Sequence, residues 1–572
     1  MNILGLSIFG KNPSAALLVN GKLKAFVEEE RFTRVKSADG DFPIHSIIHC
    51  LSTEKIKISD VDEIAIGWDF SEYKFKVPLF LAKKFIHGEI ASNKNNLGFI
   101  ELLSKNPNHI KSLIKYELTK INQEKKLPPI SFFSHHLSHA ASSFYSSGFG
   151  KSLILVMDGS GEMDATSVYL GNGNEITKIK SFELPNSLGW FYSSISSFLG
   201  FKAYEEDGFL MGLASYGEYD SGISKKIDQL LEYKDGEYHV DHELAFFGKQ
   251  TQSSTYGDKL IKVFGKPRLK DEKITQYHKN LAFAAQEKLE KTVLSLANYY
   301  SNLFQVDNVC LAGGVSLNVK TNMSLFQIGS FKNIFIQPVS HDAGVALGAA
   351  QLSSLKHNER AIFPMDHVYY GTDYKNAQIK KVLDNIGVRY QKVGNISELA
   401  AEKISGGEIV AWFQGKMEVG PRALGNRSLL ANPLDRKIWD KINSKIKYRD
   451  PWRPFCPSLT KKAANELIDP RLGKESYFMG CAHQVSEDVA DKIPAVVHVD
   501  KSTRPQLVLA KTNKKYHLLL ENLGQITGHE IVLNTSLNVK GEPIAESHLD
   551  ALRFFYSTGT DYLAIGDFWI KK

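Results

Sequence analysis

Ser152-Leu153-Ile154-Leu155-Val156-Met157-Asp158-Gly159-Ser160-Gly161 is the stretch on which the fold turns. Residues 152–157 are continuously apolar and β-prone, which predicts a buried strand. The strand ends in Asp158 and small residues, residues 165–170 return as a second strand, and Gly171-Asn172-Gly173-Asn174 is the next turn. A strand that closes on an acid and then folds back suits backbone N–H groups wrapped around a phosphate. The N-terminus repeats the plan. Residues 2–7 predict a strand, and runs 15–19 and 23–27 are joined through Asn20-Gly21, the strongest short hairpin signal. Two such units, near residues 3 and 152, predict an internally duplicated α/β domain.

The surrounding chain sets bounds. Its 572 residues exceed what one core usually holds, so more than one domain is expected. Apolar content of 43% with 23% charged residues excludes a disordered chain and supplies material for cores. Cys50, Cys310, Cys456 and Cys481 are widely spaced, which argues against a disulfide framework or zinc ribbon and for a reducing compartment. Met1 to Ser7 lacks the pattern of a secretory leader, and no apolar run reaches the roughly 20 residues that cross a bilayer. A cytoplasmic protein without a membrane partner is expected. The net charge of +7 is mild, but segment 71–130 carries eleven lysines against five acids. It reads either as a solvated helical face or as a patch for a polyanion such as nucleic acid.

Three histidines fall within five residues in Ser134-His135-His136-Leu137-Ser138-His139. If the stretch is helical, His135 and His139 lie one turn apart on one face. Two readings stand at this point: half of a divalent-metal site that needs oxygen ligands from elsewhere, or a helix start whose histidines cap, pack or face water. Candidate partners follow strands. Asp158 ends the 152–157 run. Asn308-Val309-Cys310-Leu311-Ala312 predicts a strand entering Gly313-Gly314-Val315-Ser316-Leu317-Asn318, where paired glycines would let the backbone approach a nucleotide. A strand at 334–338 leads to Ser340-His341-Asp342, ahead of an Ala/Gly-rich helix. A second domain follows a connector at 354–375. There Gly420-Pro421-Arg422, Lys447, Arg449, Trp452-Arg453-Pro454, Arg504-Pro505 and Asn534-Thr535-Ser536 set cations beside glycine and proline. Guanidinium forks in rigid loops suit an oxyanion pocket better than a solvated face.

With these motifs the chain resembles the NodU/CmcH-type O-carbamoyltransferase family end to end. The resemblance rests on EEERFTRVK at 28–36, SHHLSHAASSFY at 134–145, MDGSGE at 157–162, MGLASYGE at 211–218, GGVSLN at 313–318 and SHDAG at 340–344. In the second half it rests on GPRALGNRS at 420–428, WRPFCP at 452–457, RPQ at 504–506 and NTSLNVKGEPI at 534–544. It implies an α/β architecture: a duplicated actin-like (ASKHA), TsaD-like domain over 1–355 that transfers the carbamoyl group, then a YrdC-like α/β domain over 365–572 that makes carbamoyl adenylate from carbamoyl phosphate and ATP. By the same resemblance His135, His139, Asp158 and Asp342 are metal ligands for a divalent ion, Fe(II) in the family, and Mg accompanies ATP. Gly313, Gly314 and Asn318 line a nucleotide, with Lys36 as a catalytic residue near it. Arg422, Lys447, Arg453, Arg504, Asn534 and Ser536 bind carbamoyl phosphate and ATP, and the four cations are catalytic. Where the family commonly has His-Asp before the first hairpin, this chain has Lys11-Asn12. The expected acceptor is a hydroxyl of a small molecule or sugar. The alternative is a nucleic-acid hydroxyl such as a hydroxymethylated DNA base, that is, DNA modification. A homodimer is an expected assembly, and an inactive actin-like binding module is the remote alternative.

Overall fold

Asn20 and Gly21 have φ of +50° and +69°, the left-handed pair that a two-residue hairpin turn requires. They join strand β2, Ser14–Val19, to β3, Lys22–Glu28, after β1, Asn2–Ser7. The computed structural model describes residues 1–71, 107–121, 127–245, 255–450 and 452–572. Most of the lysine-rich segment 71–130, residues 72–106 and 122–126, lies outside the described residues.

The further strands of the N-terminal half are β4 Glu63–Ile66, β5 Ile130–Phe132, β6 Lys151–Gly161, β7 Asp164–Asn172, β8 Glu175–Glu183, β9 Leu231–Lys234, β10 Glu237–Val240, β11 Asn308–Ala312 and β12 Asn333–Ile336. One sheet runs β3-β2-β1-β4-β5 and another β12-β11-β6-β7-β8, while β9 and β10 form a separate ribbon. Counted from the first strand of each five-stranded sheet, the order is 3-2-1-4-5 twice. A strand opens each sheet, two strands fold back beside it, and two more add in parallel on its other side, as β1 with β4 and β6 with β11. The fold is therefore the duplicated actin-like α/β plan, legible in the topology itself. The predicted strand at 152–157 is real and extends further: β6 continues through Asp158 to Gly161, with a register shift between Met157 and Gly161. Its apolar run is continuous because β11 and β7 flank it and helices cover it.

The C-terminal half builds one mixed sheet from β13 Gln391–Lys392, β14 Val410–Phe413, β15 Arg427–Ala431, β16 Cys456–Leu459, β19 Gln506–Leu507, β20 Ile531–Ser536, β21 Tyr562–Ile565 and β22 Phe568–Lys571; β17 His483–Gln484 and β18 Ser502–Thr503 pair apart from it. The strand order is β13-β22-β21-β14-β15-β20-β16-β19. Helices cover both faces. Along β14, Ala411 and Phe413 enter one core while Val410 and Trp412 enter the other, so every residue of that strand is apolar.

The chain divides into two compact units. The first is Met1–Ser7, Leu17–Leu23 and Lys55–Pro364; the second is Ile8–Ala16, Lys24–Glu54 and Met365–Lys572. The late division falls inside the predicted connector. The early segments are the novelty: the 28–36 motif and Lys11-Asn12 belong to the same unit as the C-terminal sheet. All four cysteines are buried and free. Among the described residues no helix is long and apolar enough to cross a membrane.

Candidate metal centre and anion site

The helix His135–Ser147 starts without a side-chain bond from its N-cap Ser134. The Glu162 carboxylate takes that place, accepting the His135 N–H at 2.9 and 3.2 Å, a favourable charge for a helix start. A second helix, Gly344–Lys356, packs against this one. A Cβ on Gly348 would lie 1.7 Å from the Ser138 carbonyl, so only glycine allows the approach. That approach brings Asp342, just ahead of the second helix, to the histidines. Gly161 has the same role from the β6 side, because a Cβ there would sit 2.4 Å from the His135 ring.

The sequence-expected quartet His135, His139, Asp158 and Asp342 thus comes together, with one ligand atom from each within 4.8 Å of all the others. His135 Nε2 is 3.7 Å from Asp158 Oδ2 and 3.9 Å from Asp342 Oδ1. His139 Nε2 is 3.2 Å from Asp158 Oδ2. Those approaches lack hydrogen-bond geometry, so His135 Nε2, His139 Nε2 and Asp158 Oδ2 are buried without a hydrogen-bond partner. Buried polar atoms in that condition are expensive unless something else satisfies them. Donors each about 2.1 Å from one ion stand roughly 3 to 4.3 Å apart, close to the spacing here. The donor set therefore fits a divalent metal. His135 Nδ1 lies 3.2 Å from the Gly67 carbonyl, which orients the ring as a metal ligand needs. Burial opposes charge on His135, but Asp158 and Asp342 outweigh it and push its pKa up to about 9. Burial pushes His139 down to about 4. Burial also opposes charge on Asp158, yet the two imidazoles hold it well below the usual carboxylate range. His136 turns away: its Nδ1 is 2.8 Å from Ser167 Oγ, and it is not among the four.

The glycine loop lies beside this group. Gly313 has φ +87°, and a Cβ on Gly314 would stand 3.1 Å from Asp158 Oδ1. Asn318 caps the helix Val319–Ile328 by accepting from Thr321 N at 3.1 Å, and its amide pairs with Gln286 at 2.9 and 3.0 Å. Its side chain is thus occupied in holding the loop. Lys36 is exposed at the start of a short 3-10 turn in the second unit.

In the second unit, strand register gathers the remaining residues. Ser428 pairs with Ser536, Cys456 with Asn534 and Ser458 with Gln506. The starts of β15, β16 and β19 and the end of β20 therefore share one edge of four adjacent strands. Arg422 precedes β15, Arg453 precedes β16, Arg504 precedes β19, and Asn534 and Ser536 end β20. Lys447 arrives from a π-helical turn, Asn443–Lys447, a form frequent at functional sites. Lys447 is buried, and its Nζ donates to the Ser536 carbonyl and to Asn538 O and Oδ1 at 2.8 and 2.9 Å. Asn534 Nδ2 donates to Ala423 O, Ser458 Oγ and Gln506 Oε1, whereas its buried Oδ1 has no partner. Arg504 donates to Cys456 Sγ at 3.1 and 2.8 Å.

These cations repel one another. Burial, then Arg504 and Arg453, pushes Arg422 down to about 9. Burial, then Arg453, does the same to Arg449, also to about 9. Burial, Arg449 and Arg453 hold Lys447 well below the ordinary lysine range. Arg449 stacks 4.0 Å over Phe455 and is a fifth cation here that motif matching had not assigned a role; its spacing of two from Lys447 was the available signal. The two arginines of GPRALGNRS divide. Arg427 is fully buried and donates to five carbonyls, those of Gln414, Gly415, Asn426, Thr372 and Glu546, so it is structural. Arg422 faces other cations instead.

Comparison with known proteins covers both halves of the chain. Residues 2–351 match the family model described as carbamoyltransferase N-terminus, and 401–572 that described as carbamoyltransferase C-terminus. The chain is 35% identical to an uncharacterised protein of Synechocystis sp. (strain ATCC 27184 / PCC 6803 / Kazusa) over 100% of this chain and 97% of that one. It is 33% identical to nodulation protein NolNO of Sinorhizobium fredii (strain NBRC 101917 / NGR234), covering 99% and 79%, and 26% identical to nodulation protein U of Rhizobium fredii, covering 92% and 88%.

Proposed function

Because the chain belongs to the carbamoyltransferase family, we propose that this enzyme makes carbamoyl adenylate from carbamoyl phosphate and ATP and passes the carbamoyl group to a hydroxyl of a small molecule or sugar. The observation that carries the first step is the cluster of Arg422, Lys447, Arg449, Arg453 and Arg504 at one strand edge, in which burial and neighbouring cations depress the pKa of Arg422, Lys447 and Arg449. Such a cluster is unfavourable until an anion enters, and phosphate groups suit guanidinium forks. Water cleaves carbamoyl phosphate to carbamate and phosphate. A carbamate oxygen then attacks the α-phosphorus of ATP and pyrophosphate leaves. Arg422 and Lys447 neutralise the charge that builds on the phosphoryl oxygens, and Asn534 and Ser536 orient the bound anion.

In the second step the acceptor oxygen attacks the carbamoyl carbon, AMP leaves and the hydroxyl proton is lost. His135, His139, Asp158 and Asp342 would hold Fe(II), a choice supported by two imidazoles with two carboxylates. Bound there, the ion supplies a Lewis acid for the adenylate phosphate. Glu162 and the Gly67 carbonyl keep His135 in place, and Gly313 and Gly314 leave room for the nucleotide. Mg accompanies ATP.

The test is carbamoyl phosphate-dependent release of pyrophosphate from ATP, followed by a mass-spectrometric screen of acceptors for the carbamoyl increment. Small hydroxyl compounds, sugars and hydroxymethylated DNA are separate arms. Pyrophosphate release indifferent to carbamoyl phosphate would overturn the first step, and a carbamoylated DNA arm with silent small-molecule arms would overturn the acceptor class.

A further inference from the structure

The first four residues of the EEERFTRVK motif, Glu28 to Arg31, are buried in the second unit and 32–34 are half-buried, far in sequence from the cation loops. Arg31 is 1% exposed. Its Nη2 donates to the Gly420 carbonyl at 2.7 Å and to Glu28 Oε1 at 3.1 Å, and its Nε donates to Glu28 Oε2 at 3.2 Å. Glu28 Oε1 in turn accepts the Gly420 N–H at 3.1 Å. Both backbone groups of Gly420, a residue with φ +102° two places before Arg422, are thus held by one ion pair. Arg34 grips a second loop, donating to Ile544 O at 2.7 Å and Pro543 O at 2.8 Å. That loop leads back to the anion site, because Asn538, a partner of Lys447, donates to Glu542 O at 2.7 Å and Ala545 N donates to Leu537 O at 2.9 Å.

We propose that Glu28, Arg31 and Arg34 form a positioning clamp: Glu28 and Arg31 hold the Arg422 loop, Arg34 holds the loop of Ser536 and Asn538, and together they set the spacing of the cations that receive the phosphate. The clamp rests on the anion-site reading above. It touches no substrate and acts through backbone carbonyls and one N–H. Its chemistry requires guanidinium forks, because one lysine ammonium cannot span Glu28 and Gly420 with the same planar geometry. A displacement of about 1 Å in such a site costs up to about a hundredfold in rate.

The experiment compares Arg34→Gln, Arg31→Lys and the neighbouring surface variant Arg553→Gln, which removes an exposed ion pair to Glu542 at 3.1 Å. Steady-state pyrophosphate release, thermal unfolding and calorimetric binding of inorganic phosphate are read on the full chain. Arg34→Gln and Arg31→Lys are expected to raise the KM for carbamoyl phosphate about tenfold or more and to weaken phosphate binding about tenfold, with Arg553→Gln unchanged in both. Unchanged KM and phosphate affinity with a lowered unfolding temperature would make the motif ordinary scaffold and overturn the clamp. If Arg31→Lys does not fold, Arg34→Gln, at the more open end, decides alone. If the wild type releases no pyrophosphate, the functional reading fails, and phosphate calorimetry still decides the clamp.

Discussion

Replacing Arg422 with Met should make the ligand-free protein more stable while abolishing its first reaction. Methionine keeps an apolar stem of similar length, so packing changes little. Burial and the neighbouring Arg504 and Arg453 push the Arg422 guanidinium down to about 9. A drop of at least three pH units corresponds to roughly 4 kcal/mol set against the charged form, at about 1.36 kcal/mol per pH unit. Solvent reaches the half-buried side chain and screens part of this, so about 1–3 kcal/mol should return when the charge is removed. The assay is urea unfolding in phosphate-free buffer, followed by tryptophan fluorescence, since four of the six tryptophans lie in the second unit. Phosphate at a hundred times its Kd should add about 2.7 kcal/mol to the wild type. The variant should gain little from it, and its pyrophosphate release should fall by about 10² to 10³. An Arg422→Met protein that is less stable without anion, and still stabilised by phosphate, would refute the argument that this arginine waits for a ligand.

His139→Ala should empty the metal group, read by elemental analysis, and block carbamoyl transfer while sparing pyrophosphate release; equal loss of both reactions would refute the division of labour. Arg427→Met should cost about 3–5 kcal/mol in chemical unfolding, because five carbonyls lose their donor. Chelated protein should be most stable near pH 6.5, checked by unfolding temperature from pH 4 to 10. Below about 6.5 the unfolded chain protonates His136 and His139, which burial holds down to about 3 and about 4 in the fold, so stability falls as pH drops. Above about 6.5 the folded chain keeps the His135 proton, held to about 9 by Asp158 and Asp342, that the unfolded chain has lost, so stability falls as pH rises.

The sequence by itself determined the local elements and which residue types carry chemistry. Apolar runs and turn residues such as Asn20-Gly21 are short-range signals, and they specified both hairpins and the strand at 152–157 because neighbours along the chain decide them. The i,i+4 histidines were legible for the same reason, as was the 3-2-1 start of each duplicated sheet. Only the tertiary structure decided which of two identical residue types does which work. Arg427 and Arg422 share one motif, but carbonyls from four separate segments close on Arg427 and cations close on Arg422. Strand pairing across a hundred residues aligned β15, β20, β16 and β19 so that their ends share one edge. Side-chain contacts tie the 24–54 segment, which belongs to the second unit, to that domain: Arg31 and Arg34 meet backbone carbonyls roughly 390 and 510 positions away. A carbonyl has no signature in the sequence, since every residue carries one; only folding selects the carbonyls that meet these guanidinium groups.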